Sequence, residues 1–201
     1  MNSAIILAGG KGTRLGDDNP PKALLMVNGK TLLEWQLEML KGNVDKIVLA
    51  LGHRAQEIVD FVKQKNLNVK ISIEDSPLGS GGAVKKAFLS GCPDADKVYV
   101  LNVDDLAQVD VVAALKLETP CIVVKPVPFS VLVNGKIHSQ NETFQHIGHT
   151  VLSKEDSLKL PDTGSYEKWL VLQKVNSFVH TGLWVTVNNI HQLREAESTW
   201  K

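Results

Sequence analysis

The sequence predicts an α/β protein in which a mostly parallel sheet is sandwiched by helices, with a small α+β cap formed by the later part of the chain. Three observations carry this. Short apolar runs alternate with helix-period patterns through the first two thirds, a glycine-rich turn follows the first apolar run, and the pattern changes after Pro126. Strands that are apolar throughout are buried on both faces, the habit of parallel sheets crossed by helices.

Taken in order, Ala4–Leu7 is the first buried-strand run and Lys46–Leu51 the second, Val69–Ile73 alternates like a strand, and Val98–Leu101 and Cys121–Val124 complete the set. Between them, Thr31-Leu32-Leu33-Glu34 reads as a capping box opening a helix with Leu33, Leu37 and Leu40 inward. Ala55, Ile58, Val59 and Val62 have the i, i+3, i+4, i+7 spacing of a second helix, and Val84, Ala87 and Phe88 mark a third. Beyond Pro126, Phe129–Val133 and Lys136–His138 flank Asn134-Gly135, the pattern of a β-hairpin with a type I′ turn. Ser153–Leu158 and Tyr166–Leu172 read as helices, Phe178–His180 and Leu183–Val187 as strands, and Ile190–Ser198 as a terminal helix.

Composition narrows the class. The chain has 201 residues, 43% of them hydrophobic, and its 22 basic and 22 acidic residues leave a net charge of zero. One domain over 1–201 is expected at this length. A balanced charge argues against nucleic-acid or membrane-surface partners, which select an excess of Lys and Arg. Cys92 and Cys121 are too few for a disulfide framework and read as buried thiols. The N-terminal apolar run is too short for a signal core or a membrane span, so a cytoplasmic location is expected and the Asn141-Glu142-Thr143 sequon is attributed to chance.

The sharpest local feature is Leu7-Ala8-Gly9-Gly10-Lys11-Gly12-Thr13-Arg14-Leu15-Gly16, directly after the first strand. Glycines tolerate positive φ, so successive N–H groups can converge on an anion, and Lys11 and Arg14 add charge. The carboxyl end of a strand in an open α/β sheet is where ligands bind. Two standard motifs are excluded. A dinucleotide fingerprint counted from Gly10 meets Leu15 where its third glycine belongs, and a P-loop ending at Gly29-Lys30-Thr31 meets Leu24 where its first glycine belongs.

The segment Ala8–Leu15 followed by Pro21-Lys22 resembles the signature of sugar-phosphate nucleotidyltransferases, and is most similar to the hexose- or heptose-1-phosphate guanylyltransferase branch. Gly52-His53-Arg54-Ala55, Ser76-Pro77-Leu78-Gly79-Ser80-Gly81-Gly82-Ala83, Leu101-Asn102-Val103-Asp104-Asp105 and Gly182–Asn188 match in the same order. The resemblance implies the Rossmann-like fold of nucleotide-diphospho-sugar transferases, with 1–125 as a nucleotide-binding part and 126–201 as an acceptor-binding part. It implies transfer of a nucleotidyl group, GMP preferred, from a nucleoside triphosphate to a sugar 1-phosphate with release of pyrophosphate, and Mg²⁺ as cofactor. Carried over, Leu7, Ala8, Gly9, Gly10, Lys11, Gly12 and Thr13 bind the nucleotide, with the backbone from Gly9 to Thr13 cradling the triphosphate, Arg14 neutralises the leaving pyrophosphate, and Lys22 sits on the α-phosphate or bridges it to the acceptor phosphate. Asp104 binds Mg²⁺, while Leu78, Gly79, Gly81 and Gly82 face the nucleobase. Asp105, Glu142 and Thr186 are the acceptor-side candidates, Asp105 being alternatively a second metal ligand or a helix N-cap.

The chain departs from the pattern on the acceptor side. Thr186 stands where an aspartate usually supplies the second metal ligand, Thr143 where a lysine follows the glutamate, and His146 where an asparagine precedes Gly148. Lys125 and Lys136 are the candidate substitutes. Other bases, a non-hexose phosphate acceptor, and a catalytically impaired nucleotide-binding module stay open, as does a homo-oligomer. His138, His146, His149 and His180 match no zinc spacing and read as structural, and Trp35, Trp169, Trp184 and Trp200 as packing residues.

Overall fold

The structure, a computed structural model, describes residues 1–12, 19–133 and 136–201, with side chains described outside 128–142. Its strands are β1 (Asn2–Leu7), β2 (Met26–Val27), β3 (Lys30–Thr31), β4 (Lys46–Leu51), β5 (Lys70–Ile73), β6 (Lys97–Asn102), β7 (Asp105–Ala107), β8 (Cys121–Val133), β9 (Lys136–Ser153), β10 (Asn176–Val179) and β11 (Trp184–Thr186). The helices are α1 (Leu32–Leu40), α2 (Ala55–Gln64), α3 (Gly79–Gly91), α4 (Val111–Lys116), α5 (Lys154–Lys159), α6 (Tyr166–Leu170) and α7 (Ile190–Thr199).

Seven strands form one sheet in the order β10-β8-β9-β6-β1-β4-β5. From β1 the chain runs outward through β4 to β5, then returns over α3 to β6 on the opposite flank of β1. The carboxyl ends of β1 and β6 therefore meet at a switch point, Leu7 lying between Ala50 and Asn102. That is where open α/β sheets bind ligands.

The structure extends the sequence reading at one strand, since the hairpin strand expected over Lys136–His138 continues to Ser153. Cys121–Val124 is in the sheet, but it does not adjoin β6. The strand β9 lies between them, antiparallel to both, with Leu101 opposite His149 and Cys121 opposite Val151. Residues 139–146 are mostly polar, and beyond them His149 and Thr150 break the apolar pattern, yet both are fully buried. Their polarity is met by hydrogen bonds instead of water. The hairpin itself is present, β8 and β9 pairing from Val133–Lys136 back to Cys121–Val151, while the Asn134-Gly135 turn lies outside the described residues.

Local chemistry sets the helices. Thr31 and Glu34 form the reciprocal capping box of α1, with Glu34 N donating to Thr31 Oγ1 at 3.1 Å and Thr31 N to Glu34 Oε2 at 2.8 Å. The Ala55, Ile58, Val59, Val62 stripe of α2 is buried. The core lies on both faces of the sheet, with α1 and α2 over Ile6, Leu49 and Leu101 and α3 over Ile5, Val48 and Val100. Each such side chain contributes about 1.5–3 kcal/mol. Gly91 brings α3 against Val48, where a Cβ would lie 2.6 Å from Cγ2. Of the smaller α+β portion, α5 and α6 pack against α3, with α5 starting beside Asp96 at the amino end of β6, while the β7–β11 ribbon and α7 follow the carboxyl end of β6. Among the described residues no helix is long and apolar enough to cross a membrane.

Candidate functional site

A cavity of about 560 Å³ opens at the switch point. Its floor is the turn after β1, where Leu7, Ala8, Gly9, Gly10, Lys11 and Gly12 all line the space. Main chain meets main chain here. A Cβ on Gly9 would lie 2.9 Å from Gly52 N, and His53 N donates to Gly9 O at 3.1 Å, which locks the turns after β1 and β4 together. Gly12 takes φ +62°, a conformation cheap for glycine. Thr13 and Arg14 lie outside the described residues.

The far wall is the segment after β5, with Glu74, Asp75, Ser76, Pro77, Gly79, Ser80 and Ala83. Glu74 accepts a hydrogen bond from Leu78 N at 2.9 Å and presses so close to Gly52 that a Cβ there would sit 2.3 Å from Oε1. One carboxylate thus fastens two walls. Of the four expected base contacts only Gly79 lines the cavity. Gly81 and Gly82 face away, because they make room for 161–164. A Cβ on Gly82 would be 2.2 Å from Asp162 O, and Gly81 N donates to Gly164 O at 2.7 Å. Leu78 and Gly82 border a separate surface depression with Lys85 and Lys86.

The third wall carries the charge. Lys22 begins a 3-10 turn (Lys22–Leu24) behind Pro20-Pro21, and its Nζ lies 2.6 Å from Asp104 Oδ2 and 3.2 Å from Asn188 Oδ1. Both members of the Lys22–Asp104 pair line the cavity and are largely shielded. The chain leading to Lys22 is held by Arg54, in the left-handed region at φ +53°, whose Nη1 donates to Asn19 O at 2.7 Å.

Asp105 points the other way. It is 9% exposed, is absent from the cavity lining, and its carboxylate accepts from Asn102 Nδ2 at 3.0 Å and Trp184 Nε1 at 3.3 Å. Burial, then the neighbouring Asp104 charge, pushes its pKa up to about 6. The carboxylate is so enclosed that a Cβ on Gly148, which has φ +74°, would lie 2.1 Å from Oδ2. Asp105 therefore does not line the cavity, and it is not the N-cap of α4, which Asp110 caps. It begins β7, opposite Thr186 of β11. Thr186 shares this inward network through a side-chain hydrogen bond to Asp105, and its Oγ1 also accepts from Asn188 Nδ2 at 2.8 Å. The Glu142 side chain lies outside the described residues. Behind Asp105, His149 bridges Tyr99 OH at 2.9 Å and Asp105 O at 2.9 Å, and burial lowers its pKa to about 4. Gln36 pins the same loop by donating to the carbonyls of Asn102, Val103 and Asp105. His146 turns to His149 O and Thr150, and His180 to Leu183 O; among the described residues no group of three His, Cys, Asp or Glu side chains is placed for a metal ion, and the His138 side chain lies outside them.

Glu74, His53, Asn102 and Asn188 were not singled out from sequence. Their signal was adjacency to matched motifs, because each stands at the end of a strand whose neighbours were recognised.

The family model for the MobA-like NTP transferase domain matches residues 4–124, three fifths of the chain. The chain belongs to this family. The matched stretch holds every described strand-end turn of the cavity, from Gly9 to Asp104. Among MobA-like relatives, D-glycero-α-D-manno-heptose 1-phosphate guanylyltransferase of Campylobacter jejuni is 39% identical over 119 residues, 57% of this chain and 52% of that protein. Mannose-1-phosphate guanyltransferase of Neurospora crassa is 37% identical over 108 residues, 50% and 30% of the two. The chain thus spans about half the length or less of these relatives. HddC from Yersinia pseudotuberculosis, solved in complex with GMP-PN, superposes with a TM-score of 0.78 at 25% identity, covering both chains completely. The nucleotide-diphospho-sugar transferase fold expected from the sequence is the fold observed.

Proposed function

We propose that this MobA-like domain is a nucleotidyltransferase that moves GMP from GTP onto a hexose- or heptose-type sugar 1-phosphate and releases pyrophosphate. The observation that carries this is the Lys22–Asp104 pair, set at the end of a glycine-built cavity at the sheet's switch point. The similarity to guanylyltransferases and to a GMP-PN complex supports the choice of base and acceptor.

In this reaction an oxygen of the acceptor phosphate attacks the α-phosphorus in line, the α–β P–O bond breaks, and pyrophosphate departs. No protein nucleophile is required, so the residues act by placement and by neutralising charge. The turn Gly9–Gly12 offers main-chain N–H groups to the phosphates and Lys11 adds charge at its edge. Lys22 meets the α-phosphate as charge builds there, and Arg14, two positions after Gly12 in the sequence, is assigned to the pyrophosphate. The segment Glu74–Ser80 receives the base.

The donor set fits Mg²⁺, since Asp104 presents its carboxylate to the cavity where the phosphates arrive, and Mg²⁺ commonly takes one or two carboxylates with waters and substrate oxygens. Bound there, Mg²⁺ supplies charge neutralisation and polarises the phosphoryl oxygens.

The test is pyrophosphate release from each nucleoside triphosphate with Mg²⁺ and a panel of sugar 1-phosphates. Release with GTP and at least one hexose or heptose 1-phosphate is expected. Stabilisation of the protein by nucleotides without release from any pair would replace this reading with a nucleotide-binding module.

A further inference from the structure

Helix α3 starts without a cap of its own. The first N–H groups of a helix have no partner within it, and Leu78, at the N-cap position, supplies no side-chain acceptor. The partners come from the later part of the chain. Gly81 N donates to Gly164 O and Gly164 N to Leu78 O, both at 2.7 Å. Glycine lets the two segments touch, since a Cβ on Gly79 would lie 2.6 Å from Gly164 O. Ser80 completes the clasp. Its Oγ accepts from Tyr166 N at 3.1 Å and donates to Glu167 Oε2 at 2.9 Å, and that carboxylate oxygen also accepts from Ser165 Oγ. Further along α3, Lys85 pairs with Asp162 at 2.8 Å. The clasp is rooted in the core, because Tyr166 and Leu170 of α6 are buried in the cluster beneath α3.

Gly79, Ser80 and Ala83 line the cavity, whereas Glu167 stands outside its lining. The wall assigned to the base is therefore held from behind by a carboxylate 87 positions away in the sequence. A charged acceptor makes such a hydrogen bond roughly twice as strong as a neutral one. The phosphate turn at Gly9–Gly12 is held separately, by Gly52 and His53.

We propose that Glu167 is a positioning residue for the nucleobase: through Ser80 it fixes the first turn of α3, and with it the base wall, independently of the phosphate turn. This rests on the reading of the cavity as a nucleoside triphosphate site. It makes the base wall a joint product of both parts of the chain, since the 161–167 segment lies beyond the family-matched residues 4–124.

Isothermal titration calorimetry with Mg²⁺ compares two probes, guanosine 5′-(α,β-methylene)triphosphate and inorganic triphosphate, which has no base. Glu167→Ala is expected to weaken the analogue about tenfold, the scale of one hydrogen bond to a charged group, and to leave inorganic triphosphate unchanged. Unchanged triphosphate binding also shows that the variant is folded. Glu167→Gln keeps a side-chain oxygen for Ser80 and should stay within about twofold of wild type. Ser80→Ala should lose as much as Glu167→Ala, and the double variant no more than either single one. Unchanged analogue affinity in Glu167→Ala, an equal loss of inorganic triphosphate, or additive losses in the double variant overturns the inference. Pyrophosphate release separates it from the transferase reading. The expected analogue losses in a protein that releases none leave the inference standing and remove catalysis. Failure of wild type to bind the analogue overturns both.

Discussion

On the β1–β4–β5 side of the cavity the wall is mostly main chain: Gly9, Gly10, Gly12 and Gly52, closed by Gly79 and braced by Glu74. On the β6–β7–β11 side it is built from side chains: Lys22, Asp104 and Asn188 in front, with Asp105, Thr186 and His149 behind. The first wall depends on the absence of Cβ atoms, a demand that shows in the sequence as glycine at fixed offsets. The second depends on hydrogen-bond partners drawn from Gln36 to Gln192, and no local pattern states which residues will meet. A main-chain wall fits any ligand with phosphates, whereas a side-chain wall can be exchanged residue by residue, and that is where this chain departs from the pattern it resembles.

The sharpest separation comes from the charged pair. Asp104→Ala and Lys22→Ala should each lower turnover by about 10²–10³-fold, the usual scale for losing one charge-stabilising group, with the thermal transition little changed. Near-normal turnover in either variant removes that residue from the chemistry and the side-chain wall from the mechanism.

The second wall also predicts a pH signature. His149 titrates near 4 in the fold against 6.5 ordinarily, so its contribution to stability is lost as pH falls through that window. Asp105 titrates near 6 against 3.8, so its contribution is present in acid and lost as pH rises through about 6. Between about pH 4 and 6 the two oppose, and the wild-type profile is nearly flat from this pair. His149→Gln should expose the Asp105 contribution, so that stability falls by about 2 kcal/mol from pH 4 to 6, at 1.36 kcal/mol per pKa unit. Asp105→Asn should show the opposite slope. Urea midpoints at pH 4, 5 and 6 decide, and parallel profiles for all three proteins would break the pairing.

For the main-chain wall, Gly79→Ala meets φ +73° and a Cβ position 2.6 Å from Gly164 O. The cost should be about 1–3 kcal/mol of stability, read from the same midpoints. Gly52→Ala, with its Cβ 2.3 Å from Glu74 Oε1 and 3.0 Å from Gly9 O, should act more narrowly. By displacing Glu74 and freeing Leu78 N it should weaken nucleotide binding about tenfold while leaving the acceptor KM unchanged, a small misplacement felt only on one side of the cavity. An acceptor effect as large as the nucleotide effect would show the two walls to be one unit.

How far the molecule could be read in advance follows the same division. The capping box at Thr31–Glu34 and the α2 stripe depend on neighbours within four residues, so they were legible. The Gly81-Gly82 pair was read as a base contact, since a glycine's freedom is visible in sequence but its neighbour is not, and the neighbour is the 161–164 loop. Asp104 and Asp105 are adjacent and chemically alike. Only the β7–β11 ladder turns one toward the cavity and buries the other beside Trp184 and Gly148.

By itself the sequence determined the parallel strands, their helices, the phosphate-facing turn and the branch of enzymes the chain resembles, because hydrophobic period and glycine placement act over a few residues. Tertiary structure decided that β9, carrying the buried polar pair His149 and Thr150, enters the centre of the sheet. It also decided that Asn188 reaches Lys22 across 166 positions of sequence. Burial of a polar residue is permitted only when a distant partner completes its hydrogen bonds, and a linear pattern does not contain that partner's position.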